Sequence, residues 1–451
     1  MSVLRPRPTA VRNWLGNVTW QPARFVEPRS EAELVELVRA ARRDGQRVRV
    51  LGAGHSWTPL CATAGTTVRL DRLSQVLAID RARGLVTVEA GIRLRDLCER
   101  LAAAGLALSN LGSIREQSLA GALLTGTHGS GLGHGCLATQ VAALRLVTGR
   151  GELLELDEAT EPDRLDAARV SLGALGLVTR LTLRVCPAFR LCEEREPARF
   201  EDALALVRRP EDLRAVDHLK LWWFPLTDQV QIYRQRRTDE PVSRRRGLGV
   251  LSEDAPLVQL LFSGILRLGD RAPALIPPLH RLMTRLNFQP QRRVGSSADV
   301  FTLAMPPVHH ESEYAVPLER AAEALAALHR LVRERRHRPH FVCEIRFVRG
   351  DTAWLSPAYG GDVCFIGGYD SADPRDRRWP AYLRDYEELM LSLGGRPHWG
   401  KEFSASPEVL AARYPRWQDF RALRTQLDPD GVFLNPMLER LLQPAAPPTE
   451  A

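Results

Sequence analysis

The stretch from Val48 to Pro59, V-R-V-L-G-A-G-H-S-W-T-P, decides the fold of this chain. Its alternating valines predict a short buried strand, and the strand ends at Gly52 and Gly54. Glycine accepts positive φ and lets backbone amides approach a ligand, so the turn is typical of an anion-binding loop that suits a phosphate. Pro59 follows too soon for a helix, and the third glycine of a Rossmann fingerprint is missing. The turn therefore predicts a phosphate site of another kind, with a purely structural glycine turn that carries a hydrogen-bonded histidine as the alternative.

Length and charge narrow the class of protein. The chain has 451 residues, which is too long for one compact core, so two domains are expected. The formal net charge is +8, but lysine occurs only at Lys220 and Lys401, and the excess is spread as arginine. The densest run, Arg234 to Arg246, lacks interleaved aromatic residues and is interpreted as a solvated loop. We therefore expect no nucleic-acid partner.

Cysteine usage and apolar content predict the compartment. The number of cysteines is odd, and no C-x-x-C pair occurs; the seven are Cys61, Cys98, Cys136, Cys186, Cys192, Cys343 and Cys364. This pattern favours a reducing compartment and predicts neither a disulfide framework nor a zinc site, and no metal is expected. The sequence offers no signal-peptide core and no apolar stretch of membrane-spanning length. A soluble, cytoplasmic protein without integral membrane contact is expected.

Local patterns predict an α+β domain up to about residue 187. A capping box of Ser30 and Glu33 predicts a helix that runs to about Arg43, directly before the opening strand. Beyond Cys192, strands and helices alternate at greater length. The predicted strands there are 219–224, 230–233, 314–317 and 341–348, and the predicted helices are 318–335, 379–393, 407–414 and 417–427. The Pro/Ala-rich tail after Gln443 is expected to be disordered.

A second glycine-rich run extends from Leu108 to Gly135. It carries seven glycines and six hydroxyl side chains. A backbone rich in both features is suited to wrap an extended ligand, although a structural loop is the alternative. His128, within this run, taken alone indicates a hydrogen-bonded core histidine.

Two further stretches carry charged residues at informative positions. Glu344 and Arg346, in C-E-I-R-F, share one face if this segment is a strand. Such a pair is often a structural ion pair, but together the two could bind a substrate hydroxyl and withdraw its proton. Lys401 ends the sequence H-W-G-K in a chain that otherwise uses arginine, which suggests a site that needs a compact point charge, unless the lysine is chance. The turn after Asp428 explains its proline and glycine but not Asn435.

With these residues in view, the chain resembles the sugar 1,4-lactone oxidases of the L-gulonolactone oxidase type. These belong to the vanillyl-alcohol-oxidase-type FAD-linked oxidases, in which alditol oxidase is a near relative. The likeness covers nearly the whole chain. It rests on these segments in the same order: R-N-W (12–14), G-A-G-H-S (52–56), V-E-A-G-I (88–92), L-S-N-L-G-S (108–113), G-T-H-G-S-G (126–131), L-A-T-Q-V (137–141), L-G-A-L-G (172–176), E-I-R-F-x-R-G-D (344–351), L-S-P (355–357), G-G-R-P-H-W-G-K (394–401) and L-D-P-D-G-V-F-L-N (427–435).

The resemblance implies an α+β, two-domain flavoprotein with a PCMH-type FAD-binding domain and an α+β substrate (cap) domain. The implied limits are 12–187 for the FAD-binding domain and 188–400 for the cap. Residues 401–443 would return to the FAD domain, and 444–451 would form the disordered tail.

The resemblance also implies roles for single residues. His55 would bond covalently to the flavin 8α-methyl group. Glu344 and Arg346 would bind and polarise the reacting hydroxyl, Lys401 would lie near the flavin N1–C2 carbonyl end, and Ser130 would face the substrate. The remaining residues implied in FAD binding are Leu51, Gly52, Ala53, Gly54, Ser56, Ser113, Ser118, Gly121, Thr125, Thr127, His128, Gly131, Val178 and Asn435.

The implied reaction is hydride transfer from the hydroxyl-bearing carbon of a sugar 1,4-lactone to flavin N5, followed by reduction of dioxygen to hydrogen peroxide. L-gulono-, L-galactono- and D-arabinono-1,4-lactone are the expected substrates. The alternatives are an alditol oxidase acting on xylitol or sorbitol, and a lactone dehydrogenase with a non-oxygen acceptor. Gly367 or a neighbour stands where alditol oxidase carries a histidine, which favours the lactone. A basic binding protein without catalytic activity is the alternative of another class.

Overall fold

The computed structural model describes residues 10–243, 256–371 and 378–442, with side chains given for all of these except 256–262. The expected disordered tail, 444–451, and the last part of the arginine run, 244–246, lie outside the described residues. Within the described part of the chain, no helix has both the length and the apolar character needed to cross a bilayer.

The N-terminal region contains two main sheets. A five-stranded antiparallel sheet has the order β10-β9-β11-β7-β6, a parallel sheet has the order β3-β5-β4, and β1 with β2 and β8 with β12 form small pairs. The strands are β1 (Val11–Arg12), β2 (Thr19–Trp20), β3 (Arg24–Val26), β4 (Val48–Val50), β5 (Thr66–Val68), β6 (Val76–Asp80), β7 (Leu85–Glu89), β8 (Leu106–Ala107), β9 (Val141–Val147), β10 (Leu153–Asp157), β11 (Leu177–Arg184) and β12 (Cys186–Pro187). The helices are α1 (Glu31–Arg43), α2 (Leu94–Ala103), α3 (Leu119–Leu124) and α4 (Pro162–Arg169), with a 3-10 turn at Leu137–Gln140.

Helix α1 shows why the chain reaches β4 in the right place. Ser30 caps it by accepting a hydrogen bond from the Glu33 amide (3.2 Å), and the Glu33 carboxylate accepts one from the Arg29 amide (2.9 Å). The bond to Ser30 satisfies an amide that the first helical turn leaves unpaired, whereas the Glu33 carboxylate binds the amide just before the cap; the predicted start of the helix at Ser30 is confirmed. Leu34 and Val38 bury the apolar stripe of the helix. The chain then enters β4, whose carboxyl end carries the glycine turn.

The second region is built on one eight-stranded antiparallel sheet, in the order β16-β13-β15-β14-β18-β19-β17-β20. Its strands are β13 (Arg190–Arg199), β14 (His218–Trp223), β15 (Gln229–Thr238), β16 (Gln291–Ser296), β17 (His309–Pro317), β18 (Cys343–Val348), β19 (Val363–Ser371) and β20 (Arg396–Pro397). The helices of this region are α5 (Phe200–Val207), α6 (Pro210–Arg214), α7 (Pro256–Arg271), α8 (Ile276–Asn287), α9 (Ser297–Phe301), α10 (Ala321–Glu334) and α11 (Trp379–Ser392), with 3-10 turns at Pro273–Leu275 and Leu318–Arg320. The chain ends with α12 (Pro407–Arg413), α13 (Trp417–Leu427) and α14 (Pro436–Leu442).

The two faces of the eight-stranded sheet differ in character. One face is apolar and packs against α5, α10 and α11, with Leu221, Ile345 and Ile366 in its core. The other face is charged, because directly paired residues of antiparallel strands project to the same side. The pairs that define this charged face are Lys220–Arg346, Trp222–Glu344, Arg346–Phe365, Gly367–Glu313 and Tyr369–Glu311. It is the charged face that meets the N-terminal region.

Two hydrophobic cores correspond to the two regions. The first contains Leu34 and Leu181 of the N-terminal sheets and also Trp399, Phe420 and Leu438 of the C-terminal segment. The second lies almost entirely between residues 198 and 393. The expected α+β, two-domain architecture is therefore confirmed, and the last helices pack with the first domain.

Two predictions about strands were wrong in extent. The arginine run does not begin a loop, because β15 continues to Thr238 and its Arg234 and Arg236 pair with acidic side chains of β13. Strand β17 begins at His309 rather than at Tyr314, although its first half is almost entirely polar. The polar side chains of β15 pair with β13, and those of β17 pair with residues of loops distant in sequence, such as Lys401 and His128; a pattern within one segment reveals neither.

Candidate active site

Two cavities meet at the glycine turn that follows β4. The narrower one, about 130 Å³, is lined by residues 51–56, by the start of α3 and by Val178 and Phe433. The larger one, about 700 Å³, lies between the turn and the charged face of the eight-stranded sheet. His55, Ser56, Gln117 and Thr125 line both cavities. The two therefore form one extended site with His55 at the junction.

The N-terminal lead-in and the H-W-G-K segment hold the turn in place. Asn13 donates a side-chain hydrogen bond to the Ser56 carbonyl (2.9 Å), and the Trp14 amide donates to the Gly54 carbonyl (2.8 Å). Gly54 has a φ of +75°, a conformation that favours glycine. From the other side, the Trp57 amide donates to the Gly400 carbonyl (2.7 Å). These contacts explain the R-N-W segment and link the turn to Lys401.

His55 is held as a neutral imidazole. Burial lowers its pKa to about 4, and the positive charges of Lys401 and Arg93 act in the same direction. A neutral ring has an unprotonated nitrogen at physiological pH. His55 can therefore act as a nucleophile toward a group that occupies the two cavities.

The narrow cavity is lined by glycines of the turn and of α3. A Cβ at Gly52 would overlap the Ser118 hydroxyl, and one at Gly121 would lie 2.8 Å from it, so the turn and the start of α3 meet through glycine backbone. Arg49 supports the turn from behind by donating to the carbonyls of Leu60, Gly173, Phe433 and Leu172, at 2.7–2.9 Å. An elongated cleft with exposed backbone on one wall is the shape that a diphosphate linker requires.

Glu344 lies on the charged face between two cationic side chains. Arg346 donates to its carboxylate at 3.0 Å, Trp222 donates its indole N–H at 2.9 Å, and the Lys220 ammonium lies 3.5 Å away. Burial alone would raise the pKa of Glu344, but the two positive charges and these hydrogen bonds outweigh it and lower the pKa to about 2. Glu344 therefore stays a carboxylate that accepts hydrogen bonds and is a weak base.

Arg346 links the sheet to the second glycine-rich run. Besides Glu344 it donates to the Ser113 hydroxyl and to the His128 carbonyl (3.3 Å). The prediction that Glu344 and Arg346 share one face is confirmed. The pair lines the larger cavity, across which the glycine-rich run supplies the facing wall.

Lys401 lies in the wall of the same cavity. Its ammonium is ion-paired with Glu311 and lies 4.0 Å from the centre of a Trp57 ring. Burial would raise the pKa of Glu311, but Lys401 and His309 outweigh it and the pKa is lowered. The lysine therefore places a fixed positive charge near His55, whose pKa it helps to lower.

His128, Glu313 and His398 form a buried trio whose ligand atoms lie within 4.8 Å of one another. His128 Nε2 lies 3.4 Å from the Glu313 carboxylate. The Gly400 amide donates to His398 Nδ1 (3.0 Å), so in the neutral ring Nε2 carries the proton. Burial above all lowers the pKa of His398 to about 3. These donor atoms are of types that bind metals, but the hydrogen bond at Nδ1 favours a hydrogen-bonded trio.

Most of the residues proposed from the sequence line the two cavities. Those on the narrow cavity are Leu51, Gly52, Ala53, Gly54, Ser118, Gly121 and Val178; those on the larger one are Ser113, Thr127, His128, Glu344, Arg346 and Lys401; His55, Ser56 and Thr125 line both. Thr127 Oγ1 is buried and has no hydrogen-bond partner among the described residues, which is expected where a bound group completes the site.

Three proposed residues lie outside both cavities. Ser130 donates to the Leu219 carbonyl and accepts from the Phe347 amide, so its hydroxyl joins β14 to β18 instead of facing a substrate. Gly131 is needed where the backbones cross, because a Cβ there would overlap the Asp217 carbonyl. Asn435 donates to the carbonyls of Pro59, Leu60 and Ala62, at 2.8–3.3 Å, and fastens the loop after the turn. None of the three lines either cavity, so their expected contacts with substrate and FAD stay predictions.

The residues of the larger cavity that the sequence analysis missed include Trp222, Glu311, Glu313 and Tyr369. The signal for two of them is the alternation in H-H-E-S-E, at 309–313, which places both glutamates on one side of a strand. Tyr369 could not be located in this way, because its neighbours are defined only by the pairing of β19 with β17.

Comparison with known proteins agrees with this geometry. Residues 22–157 match an FAD binding domain, and residues 181–441 match the D-arabinono-1,4-lactone oxidase family. An L-gulono-1,4-lactone dehydrogenase of Mycobacterium tuberculosis is 39% identical over 96% of this chain and 99% of that protein. The L-gulonolactone oxidase of Scyliorhinus torazame is 34% identical over 95% of this chain and 97% of that protein.

The solved structures extend the likeness at the level of fold. Cholesterol oxidase of Brevibacterium sterolicum superposes with a TM-score of 0.80 over 97% of this chain and 100% of that chain, at 18% identity. Identity this low shows a shared fold alone. The family match over more than half of the chain, together with relatives above 30% identity over nearly all of it, shows that the chain belongs to the D-arabinono-1,4-lactone oxidase family of FAD-linked oxidoreductases.

Proposed function

We propose that the protein oxidises a hydroxyl-bearing carbon of a sugar 1,4-lactone, with FAD held across the two joined cavities and dioxygen reduced to hydrogen peroxide. The observation that carries the proposal is the convergence of His55, Lys401 and the Glu344–Arg346 pair on one cavity of about 700 Å³. L-gulono-, L-galactono- and D-arabinono-1,4-lactone are the proposed substrates, since the relatives are named for gulono- and arabinonolactones.

The residues that would hold FAD fit its parts. Residues 51–56 and Ser118 would hold the diphosphate in the narrow cavity, and Thr125, Thr127 and His128 would line the flavin portion in the larger one. The neutral ring of His55, at the junction, supports a covalent bond to the flavin 8α-methyl carbon. Bound FAD supplies the hydride acceptor and the route of electrons to dioxygen. We propose 12–187 with 401–443 as the FAD-binding unit and 188–400 as the cap.

Glu344, Arg346 and Lys401 would have different roles in the reaction. Glu344 accepts a hydrogen bond from the reacting hydroxyl and orients it. Because a carboxylate with a pKa of about 2 retains a proton poorly, the hydroxyl proton that is released when the hydride departs would pass through Glu344 to solvent. Arg346 keeps that carboxylate in place and adds positive potential at the substrate oxygen. Lys401 would stabilise the negative charge that develops at the N1–C2 end of the flavin when FAD accepts the hydride.

The experiment described below distinguishes two alternatives to the oxidation of a lactone by dioxygen. A dehydrogenase that uses another electron acceptor is favoured by the name of the relative that is 39% identical. The second alternative is a polyol oxidase. Gly367 or a neighbour stands where alditol oxidase carries a histidine, which argues against this alternative.

The seven cysteines are free, which supports the proposed reducing, cytoplasmic location.

The deciding experiment uses the purified protein. Acid precipitation should leave a yellow pellet, and the His55→Ala variant should release its colour into the supernatant. Peroxide release and dye reduction are then compared for L-gulono-1,4-lactone, L-galactono-1,4-lactone, D-arabinono-1,4-lactone, xylitol and sorbitol. A colourless pellet contradicts covalent attachment. Dye reduction without peroxide establishes the dehydrogenase, and faster turnover of the polyols overturns the choice of lactone.

A further inference from the structure

Tyr369 occupies the space above a glycine in the middle of the charged face. A Cβ at Gly367 would overlap the tyrosine ring and would lie 2.8 Å from its hydroxyl oxygen. The ring is stacked on Phe341, with 5.7 Å between ring centres. Gly367 is paired with Glu313 of β17, and its own strand, β19, adjoins β18 with Glu344. The absence of a side chain at Gly367 therefore leaves the space that the tyrosine ring occupies.

The tyrosine hydroxyl is an uncommitted hydrogen-bond donor. It makes no hydrogen bond to any residue in the described ranges, and Tyr369 lines the larger cavity. Burial and the negative charges of Glu311 and Glu344 raise the pKa of Tyr369, so the phenol keeps its proton. Of the neighbouring groups on this face, the carboxylates of Glu311, Glu313 and Glu344 only accept hydrogen bonds, and Lys401 is paired with Glu311. The terminal nitrogens of Arg346 already bind Glu344, Ser113 and His128, and its Nε, which has no partner among the described residues, is fully buried.

A sugar lactone differs from a polyol by its carbonyl oxygen, which only accepts hydrogen bonds. Ionised glutamates can bind hydroxyl groups but repel a carbonyl oxygen, so a lactone needs a neutral or cationic donor beside them. Tyr369 meets that need next to Glu344 and Arg346.

We propose that Tyr369 is a substrate-binding residue whose hydroxyl donates a hydrogen bond to the carbonyl oxygen of the lactone, and that Gly367 is required to seat its ring. The inference rests on the proposed lactone oxidation and assigns the group that distinguishes a lactone from a polyol at that site.

The test is Tyr369→Phe in the flavin-loaded enzyme, which keeps the ring and removes the donor. The KM for L-gulono-1,4-lactone should rise about ten- to a hundredfold, the effect of losing one hydrogen bond to a buried partner. Inhibition by 1,4-anhydrosorbitol, a five-membered ring with hydroxyls and no carbonyl, should change less than about twofold by the same reasoning. Tyr382→Phe, on the apolar side of the sheet, is the matched control and should leave both constants unchanged.

The role of Gly367 is tested by a double-mutant cycle. Gly367→Ala should raise the KM for the lactone in the unaltered protein and have little effect in the Tyr369→Ala background. An equal effect in both backgrounds overturns the seating role. If Tyr369→Phe leaves the KM for the lactone unchanged, the inference fails alone. If the unaltered protein turns over no lactone, the proposed function fails and the inference with it.

Discussion

The Lys220 ammonium lies 3.5 Å from the same Glu344 carboxylate oxygen that Arg346 binds at 3.0 Å. Lys220 is buried, and its charge also lies about 5 Å from the ring centres of Trp222 and Tyr233. One of only two lysines in the chain therefore acts on Glu344 from outside the cavity, and the other, Lys401, lies in its wall.

Lys220→Met should raise the pKa of Glu344, because it removes one of two positive charges that favour the carboxylate. Activity requires that carboxylate, so flavin reduction by the variant should decline as the pH is lowered toward 4, where the unaltered protein, with a Glu344 pKa of about 2, should stay active; the rate at pH 8 should change little. Stopped-flow reduction by L-gulono-1,4-lactone between pH 4 and 8 measures this. Lys220→Arg keeps the charge and should keep the profile; an unshifted profile for Lys220→Met would exclude the electrostatic role.

Lys401→Met should slow flavin reduction about ten- to a hundredfold while the flavin stays attached, because the positive charge near the site of developing negative charge is lost. The same change leaves Glu311 buried without its cation, which also lowers stability. The double variant Lys401→Met/Glu311→Gln separates the two effects: the melting temperature should recover and the rate should not. Recovery of the rate would assign Lys401 a structural role only.

Arg49→Met should destabilise the protein by about 2–4 kcal/mol, because four backbone carbonyls lose a buried donor. Urea denaturation of the flavin-free protein measures the free energy of unfolding. Arg39→Met is the control, since its ion pair with Glu36 is exposed and such pairs contribute about 0–1 kcal/mol. Equal effects of the two substitutions would show that the carbonyl contacts of Arg49 contribute nothing.

His280→Leu should stabilise the protein in acid. Both ring nitrogens of His280 are buried without a partner among the described residues, and burial lowers the pKa to about 3. Its unfolded pKa is about 6.5, so the unfolded state binds one more proton between these values, and stability falls with decreasing pH by about 1.4 kcal/mol per unit. The gain in melting temperature should be least at pH 8 and should grow steadily as the pH is lowered from about 6.5 toward 4. A gain that is independent of pH would contradict this titration.

Local features of the fold were predictable from the sequence, and long-range ones were not. The helix cap at Ser30 and the glycine turn before His55 depend on neighbouring residues, so their patterns were sufficient. The buried polar half of β17 was missed because Glu311 and Glu313 are satisfied by Lys401 and His128, which are distant in sequence. Charge partners across a sheet leave no trace in the periodicity of a single strand.

In the candidate site, too, local features were predictable from the sequence and long-range contacts were not. The facing pair Glu344 and Arg346 followed from the two-residue repeat of a strand. The sequences around Ser130 and Asn435 also predicted ligand contacts, but both side chains form hydrogen bonds with backbone carbonyls of other segments. Only the path of the chain distinguishes a side chain that faces a ligand from one that fastens a loop.

The C-terminal segment has a consequence for biosynthesis. The Val48 amide donates to the Val432 carbonyl (2.7 Å), and helices α12–α14 supply part of the core of the first domain. During translation the central sheet and its helices leave the ribosome complete, whereas the first domain waits for the last residues of the chain. Nascent chains should therefore acquire their cofactor only after helices α12–α14 have been synthesised, and truncation near residue 400 should leave the first domain open and colourless.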